Sequence, residues 1–398
     1  MRKKNPGFVS VRTDIRWRAI STDFGLQIVD FGVKPLMTEL TGSHYEMGKQ
    51  HGQKLLQYRA AISDLIEAHQ KKIETYPQGA ISEIMKEMRD VLSLHSPQTL
   101  DMIHGIADGF GLPRNDLLSM MMGSYYEDKL TSLADMGFQE IGCTTWAYSG
   151  KKGEEEGILL AKNRDYLISH RDLQIIFRSK PDKGNEYFSI NSIGACNVFS
   201  SGMNKEGLAI VDTRVPSFDA GPGLPRFSLM MHILENFRYV DEAVDYLKSV
   251  PRMGGGNLVL ADVNGTIGSA EVGYQNADLL QSDHGFLVCT NHFEGPSMQK
   301  HYRQKDGMKE KDSKSRYREV SRRLSNWKDG IHFNQVKELM AFHAEAFSIC
   351  NHGGLNRSEV TSTISSTLFL PEKKGFYFCQ GFPCTTPYEW ISFKSDKE

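Results

Sequence analysis

The hydrophobic pattern of this chain changes period, and that change limits the fold more than any other feature. Up to about residue 122, apolar residues recur every three to four positions: Ile81, Ile84, Met85, Met88, Val91 and Leu92 share one helical face. Beyond residue 143 the apolar runs are short and rich in threonine, β-branched and aromatic residues, as strands are. The change falls at Ile141-Gly142-Cys143-Thr144-Thr145-Trp146. Helices first, then strands, helices and strands again, predict a layered α+β architecture with antiparallel sheets and helices outside them.

Before the boundary, residues 35–40 read as a strand, and Leu26 begins a stretch with some strand character. Ser43 followed by Glu46 fits a capping box, which starts a helix running through Leu55, Leu56, Ala60, Ile62 and Leu65 to about Tyr76. Leu100, Ile103 and Ile106 mark another helix that Gly109 and Gly111 should end. Pro113 opens a further one into Met120, Met121 and Met122, a cluster suited to core packing. After the boundary, strands are predicted at 145–149, 158–161, 173–178, 187–190, 197–201, 208–212, 257–261, 266–271, 279–282, 285–290, 362–370 and 375–379. Helices are predicted at 227–237, 240–247, 315–327 and 334–346. Asn264-Gly265 reads as a type I′ hairpin turn.

With 398 residues, length allows two or three domains or one large layered unit. A net charge of −2 argues against capture of nucleic acid by the whole surface, and no run approaches the ~20 apolar residues of a membrane span. The basic start, Met1 to Gly7, is not followed by the apolar core of a signal peptide, so a cytoplasmic location is expected. The six cysteines are scattered and form no disulfide framework.

Cys143 carries the sharpest chemical reading. If the Gly142–Cys143 bond were cut, Cys143 would hold a thiol and a free α-amine. Their pKa values, about 8.5 and 7.7–8.0, are close enough for the amine to take the thiol proton near neutral pH. Such a nucleophile needs no histidine base. Gly142, without a Cβ, lets the thiol approach its own preceding carbonyl. The plainer alternative is a buried free cysteine. Lys162-Asn163-Arg164-Asp165 follows the second strand after Cys143, and strand pairing could return Asp165 to the cysteine; a surface turn with a solvated Asp/Arg pair is the alternative. Gly254-Gly255-Gly256 lacks the lysine and helix of a phosphate loop, whereas Asn257 after it could direct an amide N–H at an oxyanion. Arg316, at the start of a charged helix, could reach a carboxylate. His343, Cys350 and His352, with Cys379 and Cys384, match no closed zinc spacing, so no metal is expected. A papain-like pairing of Cys143 with His292 has no supporting local sequence.

Together these pieces resemble one family. Gly142-Cys143-Thr144-Thr145 is similar to the self-cleavage site of the acyl-coenzyme A:6-aminopenicillanic acid acyltransferase family, also called peptidase family C45. Gly42 through Gly48, with Gly52, is similar to its N-terminal motif. Asn163-Arg164-Asp165 resembles its Asn-x-Asp step, Asn257 to Asp262 with Glu271 its asparagine strand and hairpin, and Ser315-Arg316 its Ser/Arg helix start, with Ser313 an alternative register.

The resemblance implies a four-layer αββα sandwich of N-terminal nucleophile hydrolase type with an added helical N-terminal region. Residues 1–142 would become a small subunit and 143–398 a large catalytic subunit, held together as one globular heterodimer, with homo-oligomers left open. It implies Cys143 as nucleophile, Asn257 as oxyanion donor, and Asp165 and Arg316 as pocket organisers beside Ser315, Arg164 and Thr144, with no cofactor. Arg164 stands where an aromatic residue is expected, which leaves the substrate class open. The expected activity is amide hydrolysis of a small N-acyl compound through an acyl-enzyme. One alternative is acyl transfer to an amine, with an acyl-CoA as a donor; another is a non-catalytic protein on the same scaffold. No nucleic-acid or membrane partner is expected.

Overall fold

The computed structural model describes residues 18–22, 25–29, 35–130, 142–150, 157–196, 198–282, 285–304, 307–327, 330–353 and 361–393. Of the stretches discussed above, the first seven residues, Ile141 and Asn197 lie outside these.

The N-terminal part contributes strands β1 (Arg18–Thr22), β2 (Gly25–Val29) and β3 (Met37–Gly42), then helices α1 (His44–Lys54), α2 (Arg59–Ile73), α3 (Gln78–His95), α4 (Pro97–Phe110), α5 (Arg114–Met121) and α6 (Gly123–Leu130). Next come β4 (Thr144–Ser149), β5 (Ile158–Leu167), β6 (Gln174–Pro181), β7 (Tyr187–Ser192), β8 (Ser201–Asn204) and β9 (Ala209–Arg214). Helices α7 (Arg226–Asn236) and α8 (Val240–Ser249) precede β10 (Gly256–Ala261), β11 (Ile267–Val272), β12 (Ala277–Ser282) and β13 (Gly285–Cys289). The chain ends with α9 (Met308–Asn326), α10 (Phe333–Met340), β14 (Thr361–Leu370), β15 (Gly375–Gln380) and β16 (Glu389–Ser392).

Two sheets carry the fold. One has the order β12-β11-β10-β9-β8-β7-β6-β3, the other β13-β4-β5-β14-β15-β16, and β1 pairs β2 apart from both. All pairings are antiparallel except β3 beside β6. Three apolar clusters define the layers. Ile176, Ile190, Val211 and Val259 of the first sheet meet Ala147, Leu160, Phe369 and Phe376 of the second between the sheets. The outer face of the first sheet, through Phe177, Ile210 and Leu260, packs on α1 to α5, α7 and α8. The outer face of the second, through Trp146, Leu159 and Leu368, packs on α9 and α10. The order is therefore helices, sheet, sheet, helices, the αββα sandwich expected. The 1–142 region is not helical alone, since β3 extends the first sheet at its edge. No helix among the described residues is long and apolar enough to cross a membrane.

Several predicted elements shift. The capping box forms: Glu46 N–H donates to Ser43 Oγ and Ser43 N–H to Glu46 Oε2. The long helix after it breaks at Leu55 into α1 and α2. Gly48 and Gly52 of α1 lie on the backbone of α4, and Gly105 and Gly109 of α4 lie on that of α1. A Cβ on any of the four would come within 2.5 Å of the other helix's backbone. The glycine motif thus serves close helix contact, and α4 continues through Gly109 to end at left-handed Gly111. Strand β8 begins at Ser201, four residues later than predicted. The Asn264-Gly265 hairpin forms, but only Gly265 has positive φ. Type I′ needs both; Asp262 Oδ1 instead accepts from Asn264 N and Thr266 N and sets a different turn. Helix α9 starts seven residues before the predicted 315, because its charged face hides the apolar repeat.

Candidate active site

Cys143 sits one residue before β4. Antiparallel pairing places Thr144 opposite Asn163 of β5, so the chain register carries Cys143 to Arg164 and Asp165. Its Sγ–H points at the Asp165 carbonyl, 3.6 Å away. The cysteine is buried and lines a cavity of about 370 Å³. One wall comes from α2 and α6, with Leu65, His69 and Tyr126; the floor comes from β5 and β9, with Lys162, Arg164 and Asp212. Burial pushes the Cys143 thiol up, and the charge of Lys162 opposes this. A thiol in this setting is protonated at neutral pH and needs a base to act as a nucleophile.

Asp165 explains the residue at 142. Thr363 Oγ1–H donates to Asp165 Oδ1 at 2.6 Å, while the buried Oδ2 has no hydrogen-bond partner among the described residues. A Cβ at position 142 would lie 2.4 Å from that Oδ2. Only glycine leaves room for the carboxylate against the Gly142–Cys143 bond. Burial raises the Asp165 pKa to about 7, against the hydroxyl of Thr363 and the charge of Arg316.

Arg316 lies about two turns inside α9 rather than at its start. Its guanidinium, 1% exposed, is committed on every side. Nη1–H donates to the Cys143 carbonyl at 2.7 Å and to Thr144 Oγ1 at 3.1 Å. Nη2–H donates to Asn291 Oδ1 at 3.0 Å and Nε–H to Asp312 Oδ2 at 2.9 Å. The backbone of the candidate nucleophile is thereby fixed from the α9 side. Of the two serines, Ser313 is the buried one, bonded to Thr290 and His292, whereas the Ser315 hydroxyl turns back to the Lys311 carbonyl.

Asn257 does not line the cavity. Its amide donates to the carbonyls of Thr290 at 2.9 Å and His292 at 3.2 Å, and its Oδ1 is unpartnered among the described residues. The 290–292 segment it holds also carries Asn291, the Arg316 partner, so Asn257 reaches Cys143 through that belt. Both ring nitrogens of His292 are taken, Nδ1 by the Ser313 and Thr290 hydroxyls and Nε2 by Glu294. His69 and His170 line the cavity, each lowered to about 4 by burial, and neither bonds to Cys143.

The sequence reading missed the charges on the cavity floor. Lys162 Nζ–H donates to Asp212 Oδ1 at 2.8 Å, and Arg226 Nε–H to Asp212 Oδ2 at 2.9 Å. Burial works against the Asp212 carboxylate, yet these two cations hold its pKa below the usual value. The available signal was Lys162 itself, a lysine inside a strand that is otherwise apolar up to Asn163. The glycine run serves this network: Gly254 and Gly255 have positive φ, and the Gly255 carbonyl accepts from both Arg214 and Arg226. Arg164 differs from the other cations. Burial lowers its pKa; it donates to Ser192 Oγ at 2.7 Å and to the Asn191 carbonyl at 3.4 Å, and it has no carboxylate partner among the described residues.

Away from the cavity, His343, Cys350, His352 and Cys384 come together despite spacings that suggested no metal site. Cys379 stays apart, its Sγ–H directed at the carbonyls of Gly381 and Thr386.

The model of a family described as acyl-coenzyme A:6-aminopenicillanic acid acyl-transferase matches residues 151–384, more than half of the chain; Cys143 precedes the matched stretch. An uncharacterized protein of Archaeoglobus fulgidus is 23% identical over 250 residues, covering 56% of this chain and 40% of its own. The chain thus spans well under half the length of that relative. Among solved structures, a mutant conjugated bile acid hydrolase from Clostridium perfringens is 14% identical, with a TM-score of 0.41, covering 63% of this chain and 97% of that one. Penicillin V acylase from Agrobacterium tumefaciens is 17% identical, with a TM-score of 0.42, covering 63% and 86%.

Proposed function

This chain belongs to the acyl-coenzyme A:6-aminopenicillanic acid acyl-transferase family, and from that premise we propose that it is a self-cleaving amidohydrolase whose nucleophile is Cys143. The bond between Gly142 and Cys143 is the cleavage point. Residues 1–142 and 143–398 stay together afterwards, because α1 to α5 share one apolar core with the first sheet.

One observation carries the reading: Asp165 Oδ2, buried and unpartnered among the described residues, rests against Gly142. Cleavage would leave a neutral α-amine on Cys143 beside that oxygen, whose N–H supplies the missing partner and whose lone pair is free to act as base. The amine then takes the thiol proton, and the thiolate attacks the substrate carbonyl. The leaving amine receives the proton, and water repeats the sequence to release the acid. Lys162 favours the thiolate through its charge. Asn257 is the proposed oxyanion donor, a role for which one amide N–H must leave its present carbonyl; the 3.2 Å bond to His292 is the longer one.

Substrate charge follows from the floor of the cavity. Arg164 presents a buried guanidinium balanced by no carboxylate among the described residues. A substrate carrying a carboxylate or comparable anion near its scissile amide would complete it. Acyl transfer shares the acyl-enzyme step and differs only in replacing water by an amine acceptor. Denaturing mass analysis of the purified chain tests the proposal.

A further inference from the structure

His343 follows α10, Cys350 and His352 lie in the segment leading to β14, and Cys384 lies in the turn between β15 and β16. One ligand atom from each falls within 4.8 Å of all the others. Cys350 Sγ and Cys384 Sγ are 3.7 Å apart, and His352 Nε2 is 3.1 Å from Cys384 Sγ. A tetrahedral zinc ion with bonds of about 2.3 Å to sulfur and about 2.0 Å to nitrogen has sulfur–sulfur edges of about 3.8 Å and nitrogen–sulfur edges of about 3.5 Å. The sulfur–sulfur distance matches such an edge, and with all four ligand atoms within 4.8 Å of one another, small side-chain movements would close the group around an ion.

We propose that His343, Cys350, His352 and Cys384 bind one zinc ion as a closed structural site. Two thiolates and two neutral imidazoles balance the charge of Zn²⁺, and binding releases the two thiol protons. With four protein ligands, no position is left for water, so the ion does no hydrolysis. A disulfide between the two cysteines is the competing arrangement. It needs the sulfurs at about 2.05 Å rather than their present separation, and it leaves both histidines without a role.

The site would act on the catalytic region through Asn351, which sits between two of the ligands. Asn351 N–H donates to Thr363 Oγ1 at 2.8 Å, and Thr363 N–H donates to the Asn351 carbonyl at 2.7 Å. The Thr363 hydroxyl in turn donates to Asp165. Zinc thus pins the strand start that holds the Asp165 carboxylate, and His343, Cys350, His352 and Cys384 are positioning residues.

The test is metal analysis of the full chain, produced with zinc in the medium and purified under reducing conditions. The expected result is about one zinc per chain, falling below about a tenth in Cys384→Ser and in His352→Ala, with folding of each checked by circular dichroism. Cobalt in place of zinc should give the visible absorption of tetrahedral thiolate–cobalt, absent in Cys384→Ser. Cys143→Ala should keep its zinc, which separates this proposal from the one on self-cleavage. Folded protein without stoichiometric zinc, or a Cys350–Cys384 disulfide found by mass analysis in non-reducing conditions, would overturn it.

Discussion

Replacing Gly142 with alanine probes the contact that ties the cleavage point to Asp165. The new Cβ would lie 2.4 Å from Asp165 Oδ2, 3.3 Å from its Cγ and 3.4 Å from its Cβ. Relief requires a movement of roughly 0.8 Å in a close-packed interior. Asp165 cannot easily supply it, being 2% exposed and held by Thr363. The movement therefore falls on the Gly142–Cys143 peptide, which shifts away from the thiol. Overpacking of this kind costs about 1–3 kcal/mol. Expressed in the barrier to cleavage, that slows processing by about 5- to 150-fold. A time course of intact mass on freshly produced protein reads the rate. Once cleaved, alanine at 142 is only the end of the small fragment, so turnover per cleaved molecule should be unchanged. Processing of a normally folded Gly142→Ala chain at the unsubstituted rate would refute the reasoning.

Two further substitutions separate roles. Asn257→Ala, if the amide serves as oxyanion donor, should lower turnover by about 10²–10³ with little change in substrate binding; a melt lowered together with near-normal turnover of the folded fraction would instead assign it to the 290–292 belt. Arg164→Leu should lower kcat/KM for an anionic substrate by about 10- to 100-fold, the worth of a charged hydrogen bond, and should barely change it for a neutral analogue; equal loss for both would remove the charge argument.

What could be read in the sequence was mostly local. The Ser43–Glu46 cap, the two apolar periods and the Asn264-Gly265 hairpin each depend on residues within a few positions. The return of Asp165 to Cys143 was also legible, since a short antiparallel pairing of β4 with β5 brings them together. Contacts between distant strands were not. Lys162 meets Asp212 only after β5 and β9 stack across the sandwich. The four metal ligands come from three separate segments, so their spacing along the chain has no bearing on their spacing in the fold. Helix α9 shows a second limit: its second half buries Val320 and Leu324, but its first half buries Glu310, Ser313 and Arg316, so its true start could not be found by apolar period. The present bonding of Asn257 was not legible, since it depends on the carbonyls of a loop more than thirty residues away.

The central claim is that the chain cuts itself before Cys143, and denaturing mass analysis of purified protein tests it most directly. The account predicts two co-purifying fragments, of 142 residues and of 398 − 142 = 256 residues, the larger beginning at Cys143, and a single chain of 398 residues for Cys143→Ala. A folded, unsubstituted protein that hydrolyses substrate yet remains one chain after prolonged incubation would contradict it.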